Sequence, residues 1–111
     1  ENYAGAFPTW LAPVQAVILP IAEPHHEYAE ELRYTMEQAG IRVELDDRNE
    51  KIGYRIREAQ LQKIPYMLVI GDKELENREL SVRKRGAGDL GAQAADEVIT
   101  NILQEIATKA Q

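Results

Sequence analysis

Residues 41–70 read IRVELDDRNEKIGYRIREAQLQKIPYMLVI, and this stretch decides the fold. Its first five residues set Ile41, Val43 and Leu45 against Arg42 and Glu44, the two-residue alternation of a strand with one buried face. Asp46 and Asp47 close that strand with turn chemistry and are expected to cap the next helix. The spacing then predicts a helix over 49–63, with Ile52, Ile56 and Ala59 on its buried side. Lys51, Arg55, Arg57 and Lys63 are spread over its other sides. Pro65, which has no amide proton, ends it. Residues 66–70, YMLVI, are apolar throughout, as in a strand covered on both faces. Two strands joined by a helix run parallel, so the chain is of the α/β class.

The flanks repeat the pattern. Residues 14–19, VQAVIL, form another short apolar strand. Pro20 and Pro24 punctuate the segment after it, and a helix is predicted over 25–39. Pro24 suits its first turn, Tyr28, Leu32 and Met36 form its stripe, and Gly40 ends it. Downstream, Gly71 and Asp72 read as a turn. Residues 79–85, ELSVRKR, alternate with Leu80 and Val82 on one side, as in a charged strand near a sheet edge. Residues 89–92 read as a further short strand. A last helix over 94–109 carries Val98, Ile99, Ile102, Leu103 and Ile106 as its stripe. This order gives an α/β sandwich whose sheet is partly parallel and is made mixed by the final hairpin. Residues 1–13, with the only Trp and the only Phe, have no clear period and read as the end of an upstream element plus a linker.

A chain of 111 residues with 44% hydrophobic and 29% charged residues is one soluble domain's worth. It has no cysteine, which excludes disulfides and thiolate metal sites. No apolar run approaches the roughly 20 residues of a membrane span, and the first residues lack the basic and apolar regions of a signal peptide. The cytoplasm is the expected compartment. The net charge of −6 argues against general attraction to polyanions, but it is unevenly spread. Residues 1–50 carry net −7, residues 51–85 net +4 and residues 86–111 net −3. One basic segment between acidic ones suits a polyanion bound at a single place.

A search for chemistry returns little. His25 and His26 are adjacent, hence about 100° apart on a helix, a poor pair of metal ligands expected to lie in solvent. Gly86, Gly88 and Gly91 come after a strand but precede no helix, so they do not form a dinucleotide-binding loop. No nucleophile, base and orienter assemble, and neither a catalytic nor a metal-binding residue is assigned. There remains the basic segment, which includes Asn49, Lys63, Glu74, Arg83, Lys84 and Arg85. The start of the second helix, the turn after residue 70 and the strand at 79–85 are expected to converge at one end of the sheet. Asn, Glu and Arg there are residue types that read base edges. A Glu in a basic patch repels phosphate, so its use would be to accept from a base N–H. Three readings stay open at this point: a nucleic-acid-binding module, a small-molecule module, and an interaction domain.

Three blocks, FPTWLAPVQ (7–15), RNEKIGYRIREAQLQKIPY (48–66) and YMLVIGDKE (66–74), in this order and spacing, resemble the C-terminal anticodon-binding domain of bacterial-type threonyl-tRNA synthetases, class II aminoacyl-tRNA synthetases. The likeness extends along the whole chain, and the histidyl, prolyl and glycyl enzymes share the fold. The resemblance implies a three-layer sandwich with a mixed, roughly five-stranded sheet and three helices. Residues 1–13 would be the end of the catalytic domain, with its last helix, and a linker; residues 14–111 would be the anticodon-binding domain. It implies that the domain recognises the threonine tRNA anticodon loop within a threonine–tRNA ligase. This chain would itself be non-catalytic. Asn49, Glu74, Arg83 and Lys63 would contact the anticodon, the last standing where some members have Arg, with Lys84 and Arg85 as weaker phosphate contacts. ATP, Mg and Zn would belong to the absent catalytic domain, and the full-length enzyme would be a homodimer with no membrane association.

Overall fold

The computed structural model describes residues 7–109. Strands β1 (Ala16–Pro20), β2 (Val43–Leu45), β3 (Tyr66–Ile70), β4 (Glu79–Lys84) and β5 (Gly88–Ala94) form one sheet in the order β2-β1-β3-β4-β5. The first three are parallel, and β3–β4 and β4–β5 are antiparallel. The helices are α1 (His26–Gln38), α2 (Ile52–Leu61), α3 (Asp72–Asn77) and α4 (Ala95–Thr108). The sheet is therefore mixed and five-stranded as expected. The helices number four among the described residues, not three. The expected catalytic-domain helix at the start of the chain falls largely on residues 1–6, outside the described residues.

Two cores explain the layers. On one face, Ile18, Leu68, Leu80 and Val82 meet Tyr28, Leu32 and Met36 of α1 and Val98, Ile99 and Ile102 of α4. On the other, Val17, Leu19, Met67 and Val69 meet Ala59, Ile52 and Ile56 of α2. Strand alternation sends successive residues of β1 and β3 to opposite faces, which is why both strands read as continuous apolar runs. Two helices cover one face and a single helix covers the other. No residue of β4 or β5 belongs to the α2-side core, so on that face this part of the sheet has no helical cover among the described residues.

Several local expectations are corrected. α2 starts only at Ile52, because Lys51 is extended (φ −60°, ψ 145°), and no side chain caps it. Asp46 does not cap the helix; its carboxylate accepts from the backbone N–H and the guanidinium of Arg48. Gly71 and Asp72 open a helix and not merely a turn: Gly71 N–H donates to Glu74 Oε1 at 2.8 Å, one half of a capping box. Gly40 does end α1, with φ +97° and the Ile41 N–H returning to Met36 O at 3.0 Å, a Schellman closure that favours glycine.

Candidate nucleic-acid interface

β3 fixes where the predicted site residues stand. The carboxyl ends of β1, β2 and β3 share one edge of the sheet, and Asn49 and Glu74 come after β2 and β3 there. β4 runs the other way. Met67 pairs with Arg83 and Tyr66 with Lys84, and the Arg85 N–H donates to Pro65 O at 2.8 Å. The start of α2 and the turn after β3 thus lie at the same end of the sheet, but the basic end of β4 lies at the opposite end. At about 3.4 Å per residue, the register puts Arg83 roughly 14 Å along the sheet from Gly71, the residue that opens the helix carrying Glu74.

Alternation separates the β4 bases further. Arg83 is opposite Met67, which packs in the α2-side core, so Arg83 rises from the uncovered half of the sheet. Ser81 shares that face. Lys84 points the other way, its Nζ 3.2 Å from Glu105 of α4 and 5.5 Å from the Tyr66 ring centroid. The Arg85 guanidinium donates to the carbonyls of Lys63 and Phe7. Lys84 and Arg85 are therefore engaged with the protein's own groups.

Beside Arg83 lies a cleft of about 220 Å³ lined by residues that include Gln60, Lys63, Met67, Arg83, Gly86 and Gly88. Gln60 marks the flank of α2 that faces it. Arg57 and Gly53, three and seven residues earlier, share that flank. α2 thus forms a wall running from near Asn49 at one end of the sheet to Lys63 at the other. Lys63 itself has φ +61° and lies at the bend where α2 gives way to β3.

The cations of this region divide into two sets. Arg48 is held by Asp46 and Glu58, Arg78 by Glu31, Arg33 by Glu30 and Glu37, and Arg42 by two carbonyls. Asp46 is kept below the ordinary carboxylate range, chiefly by the Arg48 hydrogen bond and against the opposing effect of its burial. Arg55, expected on the surface, is 2% exposed and donates to the carbonyls of Asp46, Glu50 and Ile21. By contrast, the side chains of Lys51, Arg57, Lys63 and Lys73 have no ion-pair or hydrogen-bond partner among the described residues, and Arg83 has only Asp89 at 3.9 Å. The Asn49 side chain is likewise unpartnered, and Glu74 has one oxygen engaged at Gly71. Sequence reasoning missed the burial of Arg55. The signal was its place between Ile52 and Ala59, three or four residues from each, on the buried side of α2.

His25 is also corrected: it is 3% exposed and not solvated. Its Nδ1 accepts the Ala22 N–H at 3.0 Å, so its proton sits on Nε2, which donates to Asp72 Oδ1 at 2.6 Å. It braces the first turn of α3, two residues before Glu74. In α/β sheets the crevice beyond the strand ends is the usual ligand site. Here the Arg55 guanidinium joins the segments after β1 and β2 across that end, which disfavours the small-molecule reading. Among the described residues no three His, Cys, Asp or Glu side chains are placed to hold a metal ion, and no helix is long and apolar enough to cross a membrane.

Comparison with known proteins shows the family and the fold. The family model described as "Anticodon binding domain" matches residues 15–105. The threonine–tRNA ligase of Caldanaerobacter subterraneus subsp. tengcongensis is 64% identical over 110 residues, covering 99% of this chain and 17% of that protein. The threonine–tRNA ligase of Acetivibrio thermocellus is 58% identical over 109 residues, covering 98% and 17%. The chain thus spans about one sixth of the length of the curated relatives it matches. Among solved structures, the RNA binding domain of threonyl-tRNA synthetase from Cryptosporidium parvum superposes with a TM-score of 0.87 at 31% identity, covering 93% of this chain and 26% of that one. A prolyl-tRNA synthetase from the same organism shares the fold, with a TM-score of 0.81 at 24% identity and coverage of 94% and 23%. With a family model matching most of its length, the chain belongs to the anticodon-binding domain family.

Proposed function

We propose that this chain reads the anticodon of threonine tRNA as one part of a threonine–tRNA ligase. The observation that carries the reading is the division of the polar side chains. The four residues matched to the family's readers, Asn49, Lys63, Glu74 and Arg83, are among those with unused hydrogen-bonding capacity, while most neighbouring arginines are tied to the protein. Sequence-specific RNA recognition takes unstacked loop bases and bonds their edges. The cleft between α2 and β4 offers donors at Arg83 and Lys63, and the other end of the sheet offers an acceptor at Glu74 and both functions in the Asn49 amide. The free cations Lys51, Arg57 and Lys73, rather than Lys84 and Arg85, would meet phosphates and set register. ATP-dependent amino-acid activation, with its Mg and Zn, belongs to the part of the ligase outside this chain. The parent enzyme is proposed to be a cytoplasmic homodimer.

The test is a titration with two anticodon stem-loops, one threonine-type and one with its second and third anticodon bases exchanged, at two salt concentrations. Wild type should prefer the threonine loop at both. Glu74→Ala should weaken the threonine loop by about 1–3 kcal/mol and the exchanged loop much less. Arg57→Ala should weaken both alike and lower the salt slope by about one. Equal losses for both loops in the Glu74 variant would remove it from base reading.

A further inference from the structure

Residues 7–15 contain one 3₁₀ turn, Thr9–Leu11, and no strand, yet side-chain hydrogen bonds fasten them to one another and to the rest of the domain. Gln15, 1% exposed, donates to Thr9 O at 3.0 Å and accepts the Arg42 N–H at 2.8 Å. The Arg42 guanidinium donates to Ala12 O at 2.9 Å and Trp10 O at 3.0 Å. Thr9 Oγ1 donates to Glu105 Oε2 at 2.5 Å, and Arg85 donates to Phe7 O. A connector without such bonds behaves as a flexible coil. With them, the segment is an extension of the rigid domain.

Of these tethers, Arg85 also reaches the recognition cleft. One nitrogen of its guanidinium donates to Phe7 O and the other to Lys63 O. Lys63 occupies the left-handed region at φ +61°, a conformation that a non-glycine residue keeps only where its surroundings hold it. Its N–H donates to Gln60 O at 3.0 Å, and Arg85 holds its carbonyl. Because the guanidinium is a rigid planar fork, the two carbonyls cannot shift independently.

We propose that Arg85 is a positioning residue that locks the lead-in segment to the cleft, so that RNA seated at Lys63 takes a fixed orientation relative to the rest of the ligase. The proposal rests on the reading of the cleft as an anticodon site. Its consequence is that Arg85 acts on the reaction rate through geometry and not on base choice through contact.

The experiment uses the full-length ligase with Arg85→Gln and Arg85→Lys. Three quantities are measured: affinity for the two stem-loops, kcat and KM for tRNA in aminoacylation, and hydrogen exchange at the Leu11 and Ala12 amides with and without stem-loop. In Arg85→Gln the preference for the threonine loop should persist while kcat falls by about 10- to 100-fold, the scale of an ångström-sized misplacement. Stem-loop binding should raise protection at Leu11 and Ala12 in wild type and not in Arg85→Gln. Arg85→Lys, which can hold one carbonyl but not both, should fall between them, and it decides the matter if the glutamine variant does not fold. Weaker binding of both loops with kcat unchanged would make Arg85 a phosphate contact and overturn the proposal, as would unchanged Leu11 and Ala12 protection in wild type. A wild type that does not distinguish the loops would defeat the base reading alone, since the kcat and exchange comparisons still decide the role of Arg85.

Discussion

Arg55→Met tests whether one buried side chain holds the loop that presents Asn49. The Arg55 guanidinium donates to Asp46 O at 2.7 Å, Glu50 O at 3.0 Å and Ile21 O at 3.4 Å. The first two carbonyls bracket residues 47–49, and the third anchors the segment after β1. A hydrogen bond to a charged group contributes about 1.5–3 kcal/mol net. Counting the two shorter bonds and neglecting the one at 3.4 Å, which is beyond good geometry, the loss is about 3–6 kcal/mol. Methionine recovers some of the burial of the aliphatic stem, so about 3–5 kcal/mol is expected. For a domain of this size each kcal/mol lowers the midpoint by about 4 °C or more, or at least about 12 °C in all. Replacing a buried ion pair by apolar residues is often neutral, but here the partners are backbone carbonyls that stay in place and lose their donor. The assay is urea unfolding of both proteins at pH 7, with hydrogen exchange monitored over residues 46–50. Arg55→Lys, which keeps the charge without the fork, should recover less than half of the loss. A cost below about 1 kcal/mol for the methionine variant would refute the reasoning, since it would mean that the three bonds only balance the desolvation of the guanidinium.

Two further predictions concern the α4 side. Burial, the largest single influence on Glu105, pushes its carboxyl up, but hydrogen bonds from Thr9, Tyr66 and Lys84 together hold it below the ordinary range. A carboxyl depressed by folding stabilises above the unfolded value, near 4.3, and loses that contribution as pH falls through the folded value. Glu105→Gln should therefore cost most near neutral pH, with the gap to wild type closing in acid; urea midpoints from pH 7 to 3 measure this, and a constant gap would refute it. Ile102, fully buried between α4 and the sheet, should cost about 2–5 kcal/mol on truncation to alanine, read by the same unfolding curves, and a cost under about 1 kcal/mol would show that the site collapses around the missing atoms.

The fold is legible in the sequence wherever the signal is a local period. YMLVI gives β3 its bounds, and the stripe on α4 gives both its helical state and its buried face. α3 is not legible in this way. Six residues form it, and it is fixed by the Glu74 carboxylate on Gly71 and by a histidine 47 positions away in sequence. Gly71 with Glu74 three residues later is the spacing of an N-cap and its N3 partner, and reading it as a turn alone undervalues that signal. A surface position is expected for Arg55 because charge usually belongs there. Its partners are carbonyls, which no residue pattern announces. The candidate site is legible as residue types and only half legible as a place. Alternation alone puts Arg83 and Lys84 on opposite faces. Putting Arg83 far from Glu74 requires knowing that β4 runs antiparallel to β3.

That separation changes how an acidic domain can hold RNA. The excess of bases in residues 51–85 suggests a single positive patch, but pairing redistributes it. Arg78 is neutralised by Glu31 of the acidic α1, Lys84 by Glu105, and Arg55 is withdrawn from the surface. What remains available is a sparse set, Lys51, Arg57, Lys63, Lys73 and Arg83, distributed along α2, α3 and the uncovered face of β4. A sparse set attracts polyanions weakly, because affinity for phosphate grows with the number of charges neutralised. The acidic remainder repels RNA from the other faces. Binding in this arrangement must draw on contacts that only correctly placed bases can make, and a Glu among the cations strengthens that demand. On the proposed reading, Glu74 would reject a phosphate and accept a base N–H, so the feature that lowers general affinity would be the one that raises discrimination.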